Sequence, residues 1–331
     1  MSVTAIAILN YNGIEFLKRF LPTLITNSKG YPIYIGDNAS TDGSVEFIKK
    51  EFPEILLIEL ATNYGYSKGY NLLLKKINSD YVALINSDIE VTPNWLKPLI
   101  DELELDDNLA AIQPKIRSFA NKEYFEYAGA AGGFIDKLGY PFCRGRIFDT
   151  LEKDEGQYDN PIEIQWASGA CFVVRKSAFD LVGGFDDDFF AHMEEIDLCW
   201  RLSSNNYTIL YSPKSTVYHV GGGTLSYESP FKTYLNFRNG LYLMLKNLPT
   251  QQLSKIMMGR VLLDWLSVFY FLAQGKWQQS KVILKAHLDV LKNRKYFLAK
   301  RKPETSKTSF TKSYSIVWKY FIKRVKMYSD L

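Results

Sequence analysis

The sequence predicts an α/β protein with a mostly parallel central sheet and a helical, basic C-terminal tail. In the first hundred residues, four short apolar segments of strand length alternate with amphipathic segments of helical periodicity. Strands that alternate with helices of about 10–15 residues form βαβ units, and such units build a parallel sheet. With 331 residues, of which 47% are hydrophobic, the chain is long enough to bury a large core.

The individual elements follow from these two periods in chain order. Strands are predicted at Val3–Leu9, Pro32–Gly36, Ile55–Leu60 and Tyr81–Ile85. Helices are predicted at Ile14–Asn27, Asp42–Glu51, Ser67–Ile77 and Pro93–Leu103. In the last of these helices Thr92 is the expected cap and Pro93 occupies the first turn.

The pattern weakens between residues 110 and 165, where glycine-rich loops are predicted. Further strands are expected at Ile164–Trp166, Cys171–Arg175, Tyr207–Ser212 and Thr216–His219, with a helix at Lys176–Val182. A run of three glycines then begins at Gly221. The tail is predicted to contain helices at Phe231–Leu245, Ile256–Ala273, Lys276–Lys302 and Ile316–Tyr328, with a polar linker at Lys300–Ser315. We therefore expect one domain over residues 1–230 and a helical, basic region over residues 231–331.

The net charge of +4 conceals an uneven distribution. Residues 232–331 contain 20 Lys and Arg against 4 Asp and Glu, a balance of +16, whereas the preceding residues carry a balance of −12. A tail of this charge predicts an anionic surface as its partner. No RNA- or DNA-binding motif accompanies the charge, so we expect no nucleic acid partner.

The apolar part of the tail predicts peripheral contact with a membrane. Its clean apolar run, Leu266–Ala273, is too short to span a bilayer. A helix that lies in the membrane interface fits better, with Trp265, Phe269 and Tyr270 as anchors. A soluble helical appendage and a homodimer interface that uses the same apolar face are the alternatives.

Cysteine usage and the N-terminus indicate a cytoplasmic protein. The three cysteines are far apart and show no CxxC spacing, which argues against a disulfide framework and against a cysteine-based zinc site. The apolar run Val3–Leu9 is short and lacks a preceding basic region, so it predicts a buried first strand and not a signal peptide.

Polar residues follow each of the first four predicted strands. They are Asn10-Tyr11-Asn12, Asp37-Asn38, Asn63-Tyr64-Gly65 and Asn86-Ser87-Asp88. Ligands of open α/β sheets bind beyond the carboxyl ends of the strands, so these loops predict a site for a polar ligand. The usual phosphate loop, the dinucleotide-binding glycine pattern and the GxSxG nucleophile turn are all absent from the sequence.

A second candidate site is the acidic segment that contains Glu194, Glu195 and Asp197. It follows an aromatic pair and opens an apolar-periodic segment, and grouped acids beside apolar residues are costly when they lack partners. One of them could act as a general base while the others orient it. The alternative is an acidic first turn of a helix, favoured by the helix dipole, with Asp197 and Arg201 as an i,i+4 pair.

The ordered motifs resemble the family 2 inverting glycosyltransferases of GT-A fold, in particular the rhamnosyltransferase-like and galactofuranosyltransferase-like branch. The resemblance covers roughly residues 3–240. It is carried by the four strand-end loops, the run Asp37–Ser44, the run Asn63–Asn71, the segment Trp166-Ala167-Ser168-Gly169-Ala170, the turn Gly183–Asp186, the acidic segment and His219.

The resemblance implies a nucleotide-sugar site at the strand ends. Asp37 would accept the imide N–H of uracil or thymine, with an Asx-turn as the structural alternative. Around Asn63 and Gly65 the backbone could approach the diphosphate or sugar, and ordinary loop-to-helix punctuation is the alternative. The residues implied to contact the donor are Asn10, Tyr11, Asn12, Asp37, Asn63, Gly65, Lys68, Asn71, Asn86, Ser87 and Asp88.

A divalent metal, Mn²⁺ or Mg²⁺, is implied at Asp88. The family has an Asp-x-Asp motif here, and this sequence departs from it because Asn86 replaces the first acid. A second ligand must then come from elsewhere, and the resemblance points to His219, whose imidazole suits Mn²⁺ better than Mg²⁺. A structural histidine is the alternative.

The resemblance implies a catalytic role for the acidic segment. Its second acid, Glu195, takes the position of the general base, with Glu194 as the fallback and Asp197 as a supporting residue. Acceptor or sugar contacts are implied at Trp166, Ser168, Gly169 and His192. A core position is the alternative for Trp166.

The function that the resemblance implies is inverting transfer of a sugar from a dTDP- or UDP-sugar to a hydroxyl of a glycan or lipid-linked acceptor. The enzyme would work at the cytoplasmic face of the cell membrane. The alternative is a non-catalytic nucleotide-sugar-binding or scaffold protein of the same fold, in which Asn86 marks a decayed metal site.

Overall fold

The computed structural model describes residues 2–221, 229–302 and 310–331. Gly222 and Gly223 of the glycine run, and residues 303–309 of the predicted polar linker, lie outside these ranges. Two sheets and a set of flanking helices build the described chain. The strands are β1 (Thr4–Asn10), β2 (Ile33–Asp37), β3 (Leu56–Glu59), β4 (Tyr81–Ile85), β5 (Ile89–Val91), β6 (Leu109–Ser118), β7 (Gly133–Ile135), β8 (Pro141–Cys143), β9 (Arg146–Ile147), β10 (Thr150–Leu151), β11 (Ile162–Glu163), β12 (Cys171–Arg175) and β13 (Thr208–His219). The α-helices are α1 (Ile14–Asn27), α2 (Ser44–Glu51), α3 (Gly65–Leu74), α4 (Lys97–Leu105), α5 (Lys176–Leu181), α6 (Glu194–Ser204), α7 (Pro230–Asn247), α8 (Thr250–Ala273) and α9 (Trp277–Ala299).

The large sheet has the order β11-β13-β6-β12-β4-β1-β2-β3, with β5 paired to the end of β13. The four strands β4, β1, β2 and β3 are parallel neighbours. β12 runs antiparallel between β4 and β6, and β13 is parallel to β6. The predicted mixed α/β class with a mostly parallel sheet is therefore confirmed, and the carboxyl ends of the four parallel strands lie at one edge.

Alternation along β1 builds a core on both faces of this sheet. Ile6 and Ile8 pack with α1 and α4 on one face, whereas Ala5 and Ala7 pack with α3 on the other. Successive side chains of a strand point to opposite faces, so an unbroken apolar segment serves both layers. The sheet is thereby fixed between helices, and its strand ends are held in place for a ligand site.

Several predicted boundaries moved because tertiary contacts override local pattern. α4 begins at Lys97 and not at Pro93, and Thr92 Oγ1 donates to the carbonyl of Thr216 at 2.7 Å instead of capping the helix. The two short strands predicted between Tyr207 and His219 form one strand, β13, with a register shift between Ser212 and Thr216.

Several β elements were missing from the sequence prediction, namely β5, β6, β11 and the second sheet. β6 lies inside the large sheet although Gln113, Pro114 and Lys115 interrupt its apolar pattern, and all three are buried. The second sheet, of order β10-β9-β8-β7, consists of strands of two or three residues. Ile164–Trp166, predicted as a strand, contributes only an isolated bridge between Gly133 and Trp166, and the pairing strand is β11.

The C-terminal helices pack onto the sheet-containing part of the chain. α7 contacts α6 and α9, and α8 and α9 form a hairpin. The helix predicted at Ile316–Tyr328 is confirmed only in its first half, because the structure is helical from Ile316 to Ile322, with a π-helical turn at Trp318–Ile322, and then has a separate 3₁₀ turn at Tyr328–Asp330. Packing explains the difference, since the Tyr328 ring stacks on Phe134 and the backbone N–H of Tyr328 donates to Glu152 Oε1 at 2.9 Å.

Candidate active site

The first polar turn is held by the loop that follows β2. Asp37, 1% exposed, accepts from Asn10 Nδ2 at 3.0 Å and from the Ser40 N–H at 2.8 Å. Asn12, at a φ of 50°, accepts from the Thr41 N–H at 2.8 Å. Asp37 thus organises its own turn, the alternative left open by the sequence, and Asn10 Oδ1 keeps no hydrogen-bond partner among the described residues.

The polar turn that follows β3 is joined to the turn that follows β2 through two asparagine amides. Asn63 Oδ1 accepts from the Gly65 N–H, at the start of α3, at 2.9 Å and from Asn38 Nδ2 at 2.9 Å. Asn38 Oδ1 in return accepts from the Tyr64 N–H at 2.9 Å. Gly65 has a φ of 74°, and an added Cβ would lie 2.5 Å from the Phe190 ring. A side chain at this position would therefore collide with the segment that precedes the acidic residues.

Three further residues that the sequence assigned to the donor differ in their exposure and in their hydrogen bonds. Tyr11, 40% exposed, and Lys68 lie at the surface, and Lys68 Nζ lies 4.8 Å from the centroid of the Tyr64 ring. Asn71 bonds the backbone of Phe185 in both directions and donates to Asp187 Oδ1 at 2.7 Å. The Asn71 amide thus fixes the chain ahead of the acidic segment.

Asp88 and His219 come together at the end of the sheet. Asp88 Oδ1 lies 3.1 Å from His219 Nε2, and Glu126 Oε2 lies 3.3 Å from Nδ1 on the other side of the ring. Burial disfavours the charged imidazole, but the two carboxylates outweigh it and raise the pKa of His219 to about 10. Asn86 and Ser87 are half-buried beside them, and the Asn86 N–H donates to the carbonyl of Ala170 at 2.9 Å.

The acidic segment opens α6 with two carboxylates, of buried Glu194 and half-buried Glu195, that each keep one enclosed oxygen unbonded by any described residue. Glu194 Oε2 and Glu195 Oε2 have no hydrogen-bond partner in the described part of the chain. Burial raises the pKa of Glu195 to about 7. Burial and the neighbouring charge of Glu195 raise the pKa of Glu194 well above its usual range. A carboxyl with a pKa near neutrality can both hold and release a proton at physiological pH, as a general base must.

Asp197, two residues further on, is fully paired. Its carboxylate accepts from Arg201 Nε at 2.7 Å, Lys246 Nζ at 2.8 Å and Asn247 Nδ2 at 2.8 Å. Burial disfavours the Asp197 carboxylate, but the charges of Arg201 and Lys246 outweigh it and lower its pKa. The pair with Arg201 expected from the sequence is present, and Asp197 joins α6 to α7.

The residues assigned to the acceptor or sugar occupy three kinds of position. Trp166 is 6% exposed, and its indole N–H donates to the carbonyl of Phe134 at 2.9 Å, which is the geometry of a core aromatic. Ser168 is buried and donates to the carbonyl of Ala128 at 2.7 Å. Gly169 faces the acids, because a Cβ there would lie 3.8 Å from Glu195 Cδ.

His192 lies in the loop ahead of the acid pair at a φ of 67°. Burial, reinforced by the charge of Lys232, lowers the pKa of His192 to about 4, so its ring is neutral at physiological pH. Its Nε2 has no hydrogen-bond partner among the described residues.

The structure thus brings the candidate residues into two groups and adds members that the sequence did not indicate. Tyr66 donates to the carbonyl of Gly169 at 2.7 Å, next to Glu195. Glu126 flanks His219 from a glycine-rich stretch without a motif. An acid in an irregular loop gives no periodic pattern, so only the tertiary structure reveals it.

Comparison with known proteins gives these groups a context. The family model for glycosyl transferase family 2 matches residues 5–183. An N-acetylglucosaminyl-diphospho-decaprenol L-rhamnosyltransferase of Mycobacterium tuberculosis is 28% identical over 66% of this chain and 76% of its own length. A low-salt glycan biosynthesis hexosyltransferase of Haloferax volcanii is 24% identical over 71% and 73%, and a rhamnosyltransferase of Escherichia coli is 24% identical over 65% and 82%.

Solved structures share the fold at low identity. GalNAc-T7 with UDP, GalNAc and Mn²⁺ has a TM-score of 0.57 at 15% identity, over 74% of this chain and 48% of its own. A mannosyltransferase of Pyrobaculum calidifontis with GDP-Man and Mn²⁺ has a TM-score of 0.54 at 12% identity, over 90% and 84%. Residues 1–349 of TarS from S. aureus with UDP-GlcNAc give 0.52 at 15% identity, over 90% and 88%. The GT-A fold expected from the sequence is confirmed.

Proposed function

The chain belongs to glycosyl transferase family 2 and is a rhamnosyltransferase-like glycosyltransferase, and on that premise we propose that it transfers a sugar with inversion from a dTDP- or UDP-sugar to a hydroxyl of a glycan or lipid-linked acceptor. The observation that carries the proposal is the state of Glu195. Its carboxyl is buried beside Gly169, has one oxygen without a partner among the described residues, and has a pKa of about 7. These are the properties of a general base.

In the proposed reaction the acceptor hydroxyl lies next to Glu195. Glu195 accepts the hydroxyl proton while the oxygen attacks the anomeric carbon from the side opposite to the diphosphate. The bond between that carbon and the diphosphate oxygen breaks, and its electron pair leaves with the nucleoside diphosphate. One bond forms as one breaks, so the anomeric configuration inverts. Glu194 remains only the fallback for the base, because burial and the neighbouring charge of Glu195 raise its pKa well above its usual range and so disfavour its ionised, basic form.

We propose that the donor lies across the polar loops at the strand ends. Asn10 Oδ1 supports this because it is buried without a partner in the described chain, and such an atom is costly unless a ligand or water supplies a donor. Exposed Tyr11 and Lys68 flank the same loops and could contact the base and the diphosphate. Asp37 would read the imide N–H of uracil or thymine with a lone pair left over from its two bonds.

A divalent metal fits the pair Asp88 and His219. Their Oδ1 and Nε2 atoms converge at 3.1 Å, and Glu126 on the opposite ring nitrogen would orient the imidazole, as partners of metal-bound histidines do. No group of three or more His, Cys, Asp or Glu ligands forms among the described residues, so the diphosphate and water would complete the shell. A metal held there would neutralise charge on the leaving diphosphate.

Replacing each acid in turn tests the assignment of the base. Glu195→Gln is expected to lower nucleoside diphosphate release by about 10²–10⁴-fold, the usual contribution of a general base, while donor binding measured by calorimetry is retained. Glu194→Gln is the matched control, with the same chemistry one residue away, and should keep most of the turnover. Undiminished turnover in Glu195→Gln would remove Glu195 from this role, and loss in Glu194→Gln alone would transfer the role to Glu194.

Asn86 favours one alternative, a non-catalytic protein of the same fold that binds nucleotide sugars. Where the resembled motif has an acid, this chain has a neutral amide, which weakens the charge available to a metal. A screen of nucleoside-diphosphate sugars with Mn²⁺ distinguishes the two functions. Release of nucleoside diphosphate from any donor supports the enzyme, whereas donor binding without release in the whole screen supports the alternative.

We propose further that the C-terminal helices dock on an anionic membrane at its cytoplasmic face. α8 presents a stripe of apolar side chains that are 45–73% exposed, namely Met258, Leu262, Trp265, Leu266, Phe269 and Tyr270. α9 adds exposed Trp277, Leu284, Leu288 and Leu291. Lysines and arginines follow along α9 and in the last segment, and each can contribute about 1 kcal/mol beside anionic headgroups.

The charged residues of α8 favour an interfacial position over a membrane span. By length and composition alone, the 24 residues of α8 could cross a bilayer. However, Arg260 Nε donates to Asp264 Oδ1 at 2.8 Å and Arg260 Nη1 to the carbonyl of Gly139 at 3.0 Å. Tyr140 also donates to Asp264, at 2.8 Å. One side of α8 is thereby bonded to the α/β part of the chain, and only its apolar side is left for lipid.

Co-sedimentation of the full-length protein with vesicles tests this docking. The double substitution Trp265→Ser and Phe269→Ser should strongly reduce pelleting with vesicles that contain anionic lipid, and neutral vesicles should bind the native protein less. Leu105→Ser, which removes an exposed leucine of α4, is the control and should leave pelleting unchanged. Equal pelleting of all variants would refute the docking. A dimer in ultracentrifugation that the double substitution dissociates would assign the stripe to a second copy instead.

A further inference from the structure

The segment that leads into the acid pair has an unusual backbone. Phe190, His192 and Met193 have φ values of 63°, 67° and 73°, and none of them is glycine. Residues with side chains avoid this left-handed region, and such strain persists only where surrounding contacts impose it. α6 begins directly after this segment, and the Asp197 N–H donates to the carbonyl of Met193 at 2.9 Å. The strained loop therefore sets where Glu194 and Glu195 begin.

One asparagine of α7 supplies the contacts that impose this conformation. Asn239 is fully buried, and its Nδ2 lies 2.9 Å from the carbonyl of Phe189, 2.9 Å from that of Ala191 and 2.8 Å from that of His192. Three carbonyl oxygens of one loop thus converge on a single amide group. The carbonyl of Phe189 also accepts from the Ala191 N–H at 2.7 Å, whereas those of Ala191 and His192 lie outside any helix or strand, and a buried carbonyl without a partner is costly.

Arg238 holds the amide of Asn239 and extends the contact along the loop. Its Nε donates to Asn239 Oδ1 at 2.9 Å, which turns Nδ2 toward the carbonyls. Its Nη2 lies 3.3 Å from the carbonyls of both Asp188 and Phe189. Arg238 and Asn239 therefore contact four carbonyls ahead of the acid pair, those of Asp188, Phe189, Ala191 and His192.

The other side of the loop contacts the donor-side turn. The carbonyl of Phe190 accepts from the N–H groups of Tyr66 at 2.6 Å and Ser67 at 3.3 Å, both in the first turn of α3. The Phe190 ring lies against Gly65, where it fills the space of a missing side chain. The loop is thus fixed between α7 and the start of α3, so a displacement on the α7 side would move the acids relative to the donor loops.

We propose that Asn239, supported by Arg238, is a positioning residue that holds the strained loop and thereby sets the position of the Glu194–Glu195 pair. The inference rests on the proposed function in that the pair includes the base. It assigns to the C-terminal helices a part in the reaction in addition to membrane docking. Asn239 itself touches no reacting atom, since its amide is committed to the three loop carbonyls and to Arg238.

Two substitutions at this contact test the proposal in steady-state kinetics. Asn239→Leu keeps the volume and removes the amide, and kcat should fall about 100-fold, as misplacement by about 1 Å can cause, with little change in the donor KM. Arg238→Met, at a half-buried position, keeps an apolar side chain but removes the guanidinium that lies over the Tyr234 and Tyr242 rings and contacts the loop carbonyls, and it should lower kcat less because Asn239 remains. This second variant keeps the test decisive if Asn239→Leu does not fold.

A control variant separates positioning from general loss of stability. Asp264→Asn weakens the buried contacts of Asp264 with Arg260, in the same helix, and with Tyr140. These residues lie far along the chain from the loop, so the Tm should fall while kcat stays near the native value. The acidic limb of the pH profile should move in the Arg238 and Asn239 variants, because an opened loop changes the burial of Glu195, and it should not move in Asp264→Asn.

Hydrogen exchange gives a readout that does not depend on activity. In Asn239→Leu or Arg238→Met, peptides that cover residues 186–196 should exchange faster than in the native protein, and peptides of β1 and β4 should not. Unchanged exchange in that segment, or unchanged kcat in both variants, overturns the positioning role. Faster exchange in a protein whose native form releases no nucleoside diphosphate would leave the loop contact standing and overturn the proposed reaction.

Discussion

Two polar regions meet at the carboxyl edge of the sheet, and they differ in how completely their hydrogen bonds are made. In the donor-side loops, Asp37, Asn38 and Asn63 use their side chains to bond one another's turns, and among the buried side-chain atoms described there only Asn10 Oδ1 and Ser67 Oγ lack a partner. At the start of α6, Glu194 and Glu195 each keep an oxygen without a partner. The loops therefore use most of their bonding capacity within the fold, while the acid pair keeps the unbonded oxygens that the proposed reaction requires.

The same contrast recurs within one turn of α6. Asp197 lies two residues after Glu195 and has three cationic or amide partners, which lower its pKa, whereas burial without a cationic partner raises the pKa of Glu195 to about 7. The carboxylate of Asp197 therefore has a structural role, whereas that of Glu195, two residues earlier, has no cationic partner in the described chain and is left reactive. Arg201 of the same helix and Lys246 and Asn247 of α7 make the difference, since Glu195 has no such partners among the described residues.

The largest expected effect is loss of stability when the paired acid is neutralised. Asp197→Asn leaves Lys246 and Arg201 buried with less compensation, and breaking a buried ion pair costs about 3–5 kcal/mol of unfolding free energy. Urea denaturation measures this change. Asp101→Asn is the control, since it removes the acid of the exposed pair with Lys97 and should change the unfolding free energy little. Equal losses in the two variants would contradict the contrast between paired and exposed acids.

A smaller loss of stability is expected in the donor-side loops. Asn38→Ala removes the acceptor of the Tyr64 N–H and the donor to Asn63, both largely enclosed, and should lower the unfolding free energy by about 1–3 kcal/mol. Thermal or urea denaturation gives the value. Asn78→Ala, at an exposed position, should change it by less than about 0.5 kcal/mol. If Asn38→Ala were as mild as this control, the loops would not depend on their internal bonds.

The pH dependence of turnover tests whether the unpaired acid is used. The base must be ionised, so kcat should fall toward tenfold per pH unit as pH drops below about 7, where Glu195 becomes protonated. A pH profile of nucleoside diphosphate release measures it, with the far-ultraviolet circular dichroism recorded at each pH to exclude unfolding. Constant kcat between about pH 5 and 7 would exclude a base with this pKa.

The smallest expected effect has the opposite sign to the first. The folded-state pKa of Glu195 is raised above its unfolded value, so its ionisation opposes folding as pH rises from about 4.5 to about 7. Glu195→Gln removes this cost of about 3 kcal/mol but leaves a buried amide without partners, so it should raise the unfolding free energy by about 1–2 kcal/mol at pH 7.5, and the gain should vanish near pH 4.5. Denaturation at both pH values measures it, with exposed Glu163→Gln as the unaffected control. Loss of stability at both values would indicate an unrecognised partner of Glu195.

Periodic segments were the part of the fold that the sequence specified best. The helix Ile14–Asn27 and the strands Tyr81–Ile85 and Cys171–Arg175 have the predicted bounds, because each has an unbroken pattern and clear ends. β6 could not be predicted, since buried Gln113 and Lys115 are satisfied by Gly129, Asp154 and Asp159, which lie far along the chain. Local pattern cannot indicate that a polar residue will find such a partner.

For the candidate site, the sequence supplied the residue types and their order, and with them the family and the two acids that open α6. It assigned Asp197 a supporting role with Arg201 but could not name the partners of Asp197 on α7, and it could not distinguish a core position for Trp166 from a sugar platform. Those outcomes depend on Lys246, Asn247 and Phe134, brought close only by the tertiary structure. The hold of Asn239 on the strained loop has the same origin, because hydrogen bonding and burial act through space and not along the chain.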